Sequence, residues 1–208
     1  MSSNGTVMMI NGPVVQGENM EDFSMREVVM VGEKKLLGEI IQLDGNLATI
    51  QVYEETGGLR IGEEITSQGK PMSVQLGPGM MGNMFDGIQR PLNEINEMNP
   101  NFIPEGIGLM SLDKEKIWEV TMKASIGDEV QAGDVFGEVQ ESELIVHRLL
   151  VPPKVEGRVK WVIEDGDYNL EEKLLVVESE DGREHPLKMY HEWPVRVPRP
   201  IQSRKAIE

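Results

Sequence analysis

Cysteine is absent from the 208 residues. That removes disulfides, thiolate metal sites and thiol redox chemistry together, and fits a reducing compartment. Aromatic residues make up only 5%, so aliphatic side chains must fill the interior. No stretch approaches the roughly 20 apolar residues that a membrane span requires, and Met1 to Gly5 lack the basic and apolar regions of a signal peptide. The expectation is a cytoplasmic chain without direct membrane insertion. Positive charge is scarce, with 20 Lys and Arg against 36 Asp and Glu and a formal net charge of −16. Such a chain repels phosphate backbones and anionic lipid faces, so no nucleic-acid partner is expected. The local exception is the tail with Arg196, Arg199, Arg204 and Lys205, where Pro198 and Pro200 favour an extended linker.

Signatures of chemistry are missing as well. No GxxxxGK[ST] occurs, and Gly69-Lys70 is followed by Pro71 and lacks the upstream glycine. His147, His185 and His191 are the only histidines, none in an HExxH spacing, so no metal site is expected. Gly77-Pro78-Gly79-Met80-Met81-Gly82 fits GxGxxG, but Pro78 interrupts it and no strand–helix unit surrounds it, which makes it a tight connector turn. Glu54 and Glu55 invite an acid–base reading; on a strand they would point to opposite faces, so a charged strand end is expected. Trp118, Trp161 and Trp193 are too scattered for a stacking platform and are expected as core or domain-contact anchors.

What is present is strand and turn. Asn4-Gly5, Asn11-Gly12, Asp44-Gly45, Asp86-Gly87, Asp165-Gly166 and Asp181-Gly182 punctuate runs rich in Val, Ile and Leu. The clearest hairpin sets Leu37–Leu43 against Leu47–Tyr53 across Asp44-Gly45-Asn46. Closing such strands removes their sticky edges, so a six-stranded-type β-barrel is predicted over residues 1–72. Thr6–Ile10, Val14–Gly17, Glu27–Val31 and Glu64–Thr66 supply its further strands. Residues 73–109, rich in Gly, Pro, Asn and Met, read as a connector with short helices at Met80–Phe85 and Leu92–Met98. A second β-rich module occupies 110–192, and 193–208 form a linker. The fold class is mainly β.

The second module carries an internal echo: Ser125-Ile126-Gly127-Asp128-Glu129-Val130 with Val135-Phe136-Gly137 recurs as Glu164-Asp165-Gly166-Asp167-Tyr168-Asn169 with Leu174-Leu175-Val176. Two such halves resemble the biotinyl and lipoyl carrier sandwich, with Pro152–Val159 like the segment that joins them. Carriers present a modified lysine on the hairpin after the Gly-Asp strand. Here that stretch, Val139–Val146, has no lysine, and Lys154 follows too late. The module is expected to keep the shape for docking, with Glu141, Glu143, Asp165 and Asp167 on turns available to partners. A self-standing adaptor of this type is the alternative reading of the chain.

Three segments in order resemble the A subunits of V-type and archaeal A-type ATPases. They are Leu37-Gly38-Glu39-Ile40-Ile41, then Ile50 to Leu59 with Gln51, Tyr53 and Glu54, then Leu76-Gly77-Pro78-Gly79 through Asp86-Gly87-Ile88-Gln89-Arg90-Pro91-Leu92. Asn11-Gly12-Pro13-Val14-Val15 and the closing Trp193-Pro194-Val195-Arg196-Val197-Pro198-Arg199-Pro200 fit the same pattern. The resemblance implies that the barrel joins a crown of alternating A and B subunits. It implies that the second module is the bulge, or non-homologous region, facing peripheral stalk subunits. It also implies a complex at the membrane periphery that translocates protons or sodium, with ATP and magnesium held by the nucleotide domain of the intact subunit. The phosphate-binding loop would follow Glu208, so no catalytic, cofactor or metal residue is expected here.

Overall fold

The computed structural model describes residues 4–101, 103–106 and 111–201, which divide into two compact units. One holds residues 4–73, the described residues from 94 to 106, and 194–196; the other holds 74–93, 111–193 and 197–201. Arg204 and Lys205 of the basic tail lie outside the described residues.

The first unit is built from β1 (Asn4–Asn11), β2 (Val14–Glu18), β3 (Glu27–Val31), β4 (Leu36–Asp44), β5 (Leu47–Val52) and β6 (Glu64–Pro71). They close in the order β1-β2-β5-β4-β3-β6, with β6 pairing back onto β1. Alternation makes the core: on β5, Ala48, Ile50 and Val52 are buried while the residues between them are not. They meet Val15, Leu36, Ile40 and Ile65 inside, an aliphatic filling that matches the shortage of aromatic residues. Register shifts between Val7 and Met9 and between Ile40 and Gln42 put a bulge in β1 and β4. Bulges of this kind supply the bending that lets a small sheet curl shut. At the β4–β5 hairpin Asp44 pairs with Leu47, so the loop is only Gly45-Asn46, with φ of 62° at Gly45. The mainly β architecture and the six-stranded barrel read from the sequence are therefore present.

Two expectations for the next segment part company. A helix, α1 (Leu92–Met98), forms and buries Ile95, but residues 80–85 are turn and irregular chain, not helix. Gly79 and Gly82 have φ of 99° and 83°, which a right-handed helix cannot incorporate. The strands β7 (Ser73–Leu76) and β16 (His191–Pro194) pair with each other.

The second unit is a sandwich of two four-stranded sheets. Its strands are β8 (Trp118–Met122), β9 (Glu129–Val130), β10 (Val135–Ser142) and β11 (Ile145–Leu150), then β12 (Gly157–Val162), β13 (Gly166–Tyr168), β14 (Leu175–Glu178) and β15 (Glu184–Leu187). One sheet runs β11-β10-β8-β13 and the other β15-β14-β12-β9. Replacing each strand of the first half by its counterpart four places on converts one order into the other. The sequence echo is thus a structural duplication in which β9 and β13 have exchanged sheets. Trp118, Phe136, Leu149, Leu175, Val177 and Leu187 share the core between the sheets.

Candidate functional site

The segments singled out in the sequence converge at two places, one in each unit. On the barrel, the strand reading of Tyr53 and Glu54 needs correction, because β5 ends at Val52. Past that end Glu54 turns its carboxylate onto backbone, accepting from the amides of Leu37 at 3.1 Å and Gly106 at 2.6 Å. It works as an acceptor for main chain, and no acid–base pair with Glu55 is built. Tyr53 donates its hydroxyl to Glu39 at 2.5 Å. Glu39 also receives Arg196 in a fork, Nε to Oε1 at 2.9 Å and Nη2 to Oε2 at 2.7 Å. Gln51 stands opposite Glu39 in the ladder. Half-buried Pro194 precedes Val195, whose amide donates to the Met72 carbonyl at 2.9 Å.

Glu39 is the centre of this group, and its side chain is only 2% exposed. The Arg196 fork holds its carboxyl below the usual value; burial opposes this, and the Tyr53 hydroxyl adds to it. Burial, then the neighbouring Glu39 carboxylate, pushes the Tyr53 phenol up, so the hydroxyl stays a donor. A carboxylate with three charge-assisted or hydroxyl donors is held firmly ionised and is a poor proton acceptor. Sequence reasoning missed Glu39 as the hub although its pentapeptide was noted. The available signal was a charged residue inside the otherwise apolar run Leu36–Ile41.

In the second unit, Asp86 closes a tight turn. Its Oδ1 accepts from the amides of Ile88 at 3.0 Å and Arg90 at 2.8 Å, and its Oδ2 takes the Arg90 Nε at 2.6 Å. Burial pushes this carboxyl up, but those amides and the guanidinium together hold it below its usual range. Exposed Gly87 lies in the turn, and Pro91 forms a bridge to Phe85 across it. Gln89, with φ of 62°, mimics a strand residue toward Gln75: its Oε1 accepts from the Gln75 amide and its Nε2 donates to the Gln75 carbonyl, both at 2.7 Å.

Gly77 and Pro78 are buried. A Cβ on Gly77 would lie 2.6 Å from Cβ of Tyr190, so only glycine allows this approach. The GxGxxG stretch does gather amides around an anion, but that anion is a side chain of the same unit: Glu141 accepts from Gly79 at 2.7 Å and Met81 at 3.0 Å. Glu141 also holds Nδ1 of His147 at 3.0 Å, and its side chain is 2% exposed. It is therefore not an acidic turn free for partners, whereas Glu143 and Asp167 are exposed. Asp165 is exposed too, with Oδ1 accepting the Met122 amide.

The tryptophans divide. Trp118 is core at 5% exposure, but Trp161, expected as an anchor, is 38% exposed with the Lys173 ammonium 4.7 Å from its ring centre. Half-buried Trp193 donates Nε1 to the Val197 carbonyl at 2.7 Å, and the Arg199 guanidinium covers its ring. Among the described residues no three His, Asp or Glu side chains converge as metal ligands.

Comparison with known proteins accounts for both units. Residues 7–69 match the beta-barrel domain of the ATP synthase alpha/beta family, and residues 109–196 match the ATPsynthase alpha/beta subunit barrel-sandwich domain. The V-type ATP synthase alpha chain 2 of Clostridium tetani is 56% identical across 98% of this chain and 34% of its own length. The A subunit of the A-type ATP synthase of Metallosphaera sedula is 49% identical across 96% of this chain and 34% of its own length. The catalytic A subunit of the V-type proton ATPase of Cyanidium caldarium is 47% identical across 97% and 35%. The chain therefore spans about a third of these relatives. With both units aligned in one continuous match, the chain belongs to the family of V-type and A-type ATP synthase A subunits.

Proposed function

We propose that this chain is the assembly part of the A subunit in a rotary ATPase. In this reading residues 1–72 take a place in a crown of alternating A and B subunits. Residues 110–192 are the bulge, which faces peripheral stalk subunits; 73–109 connect it to the barrel, and 193–208 are a linker toward the nucleotide domain of the intact subunit. ATP and magnesium chemistry, and with it proton or sodium transport, belongs to the nucleotide domain of the intact subunit. The observation that carries the reading is the match to A subunits over 96 to 98% of the chain without a GxxxxGK[ST] anywhere in it. Backbone amides of a glycine-rich loop with a lysine are what cradle nucleotide phosphates in this class of enzyme. The residues that carry the resemblance support an assembly role, because Tyr53, Glu54, Asp86, Gln89, Arg90 and Arg196 each hold hydrogen bonds to the protein's own chain.

The experiment has two arms. Calorimetry of the chain with Mg-ATP is expected to give no heat of binding. Sedimentation of the chain mixed with the B subunit of a relative is expected to show a mixed complex, while the chain alone stays monomeric or self-associates only weakly. Micromolar ATP affinity, or a stable homo-hexamer at micromolar concentration, overturns the proposal.

A further inference from the structure

The second unit contains a cavity of about 350 Å³ beside β11 and β16, within the size range of small-molecule sites. Its apolar wall includes Leu76, Met80, Leu149 and Met189. Its polar lining is His147, Arg148, Lys188, His191 and Arg199, with no Asp or Glu among the described lining residues. In a chain with 36 acidic against 20 basic residues, a wall with basic side chains and no acid is a local reversal of charge.

Part of this basic lining already has acidic partners. His147 has Glu141, and Lys188 pairs with Glu171. Arg148 is exposed and has no ion-pair partner among the described residues. Arg199 donates Nη1 to Nε2 of His191 at 2.9 Å, a bond to a neutral ring nitrogen, and among the described residues no carboxylate pairs with its guanidinium. The guanidinium rests 5.1 Å from the Trp193 ring centre, which positions it without cancelling it. His191 registers the resulting field: burial first, then Arg199 and His147, pushes its imidazole down to about 4.

We propose that this cavity binds a small organic anion, a carboxylate or phosphate monoester on a short hydrocarbon body. Arg148 and Arg199 receive the anionic head, and Leu76, Met80, Leu149 and Met189 receive the hydrocarbon. Guanidinium forks match both head groups, and the apolar wall adds affinity that a bare inorganic anion cannot exploit.

Amide NMR spectra of the chain titrated with hexyl phosphate test this, with hexanol and inorganic phosphate as comparison probes. Hexyl phosphate is expected to shift the amides of Gly77, Arg148, Leu149 and Met189 and to raise the His191 pKa toward its ordinary value, since a bound anion cancels the field of Arg199. Inorganic phosphate should bind more weakly, and hexanol should leave these amides unmoved. The Arg148→Gln/Arg199→Gln double variant should weaken hexyl phosphate at least about tenfold, one charge-assisted bond or more in free energy. An Arg158→Gln/Arg183→Gln double variant, the same charge change on exposed residues elsewhere, should bind as the parent does. Hexanol matching hexyl phosphate, shifts confined to other residues, or both double variants weakening binding equally overturns the proposal.

Discussion

A single carboxylate shows how much one residue decides. Glu39 sits in a strand where its neighbours are apolar, and it is tolerable there because Arg196, 157 positions away, and Tyr53 supply its donors. Replacing Glu39 by Gln keeps the shape and removes the charge, leaving the fork poorly matched. This is expected to cost roughly 1–3 kcal/mol in urea unfolding. The sign of the pH dependence follows from the lowered carboxyl. A group whose folded pKa is depressed stabilises above its unfolded value and loses that contribution as pH falls through the folded one. The parent should therefore lose stability below its ordinary value of 4.5, and Glu39→Gln should lose less over the same range. Arg196→Ala should also flatten this acid limb, since it removes the largest cause of the shift. Parallel stability curves for parent and both variants between pH 3 and 6 would refute the role assigned to Glu39.

Among elements, the exchange of β9 and β13 has the clearest consequence. β9 of the first half hydrogen-bonds β12, and β13 of the second half hydrogen-bonds β8, so each sheet needs a strand from the other half. A half by itself has an unfilled sheet edge and the inner face of Phe136 and Leu149, or of Leu175 and Val177, turned to water. Cutting the second unit between Val155 and Glu156 is therefore expected to give two fragments without protected amides in hydrogen exchange. Mixing them should restore protection in both. Protection in either fragment alone would mean that the duplicated halves are independent folding units. The repeat was legible from its Gly-Asp turns and the following Val or Leu runs. The exchange was not, because a two-residue strand such as Glu129–Val130 carries no period from which a partner can be read.

For the whole molecule, similarity to a carrier shape and absence of the attachment residue make opposite demands, and chemistry decides between them. The turn between β10 and β11 holds Glu143 and a Leu144 that is 95% exposed, where a carrier would present a lysine. Fold alone does not confer the swinging-arm function. After expression with biotin and lipoate ligases, the intact mass is expected to equal that of the unmodified chain. A ligase-dependent adduct on Lys154 would instead support a self-standing carrier.

Strand alternation, turn dipeptides and the order of family segments were enough, without coordinates, to place a barrel before a sandwich and to identify the A-subunit resemblance. These features are local, repeated every few residues, and each strand states its own inward face. What the linear chain could not disclose were the partners of its buried and half-buried polar groups. Glu141 looked like a free acidic turn until the amides of Gly79 and Met81 were seen to converge on it, 62 and 60 residues away in sequence. Glu39 looked like one letter of a motif until Arg196 arrived. A buried charge needs compensation by donors in space, and only closure of the tertiary fold decides which distant donors are within reach.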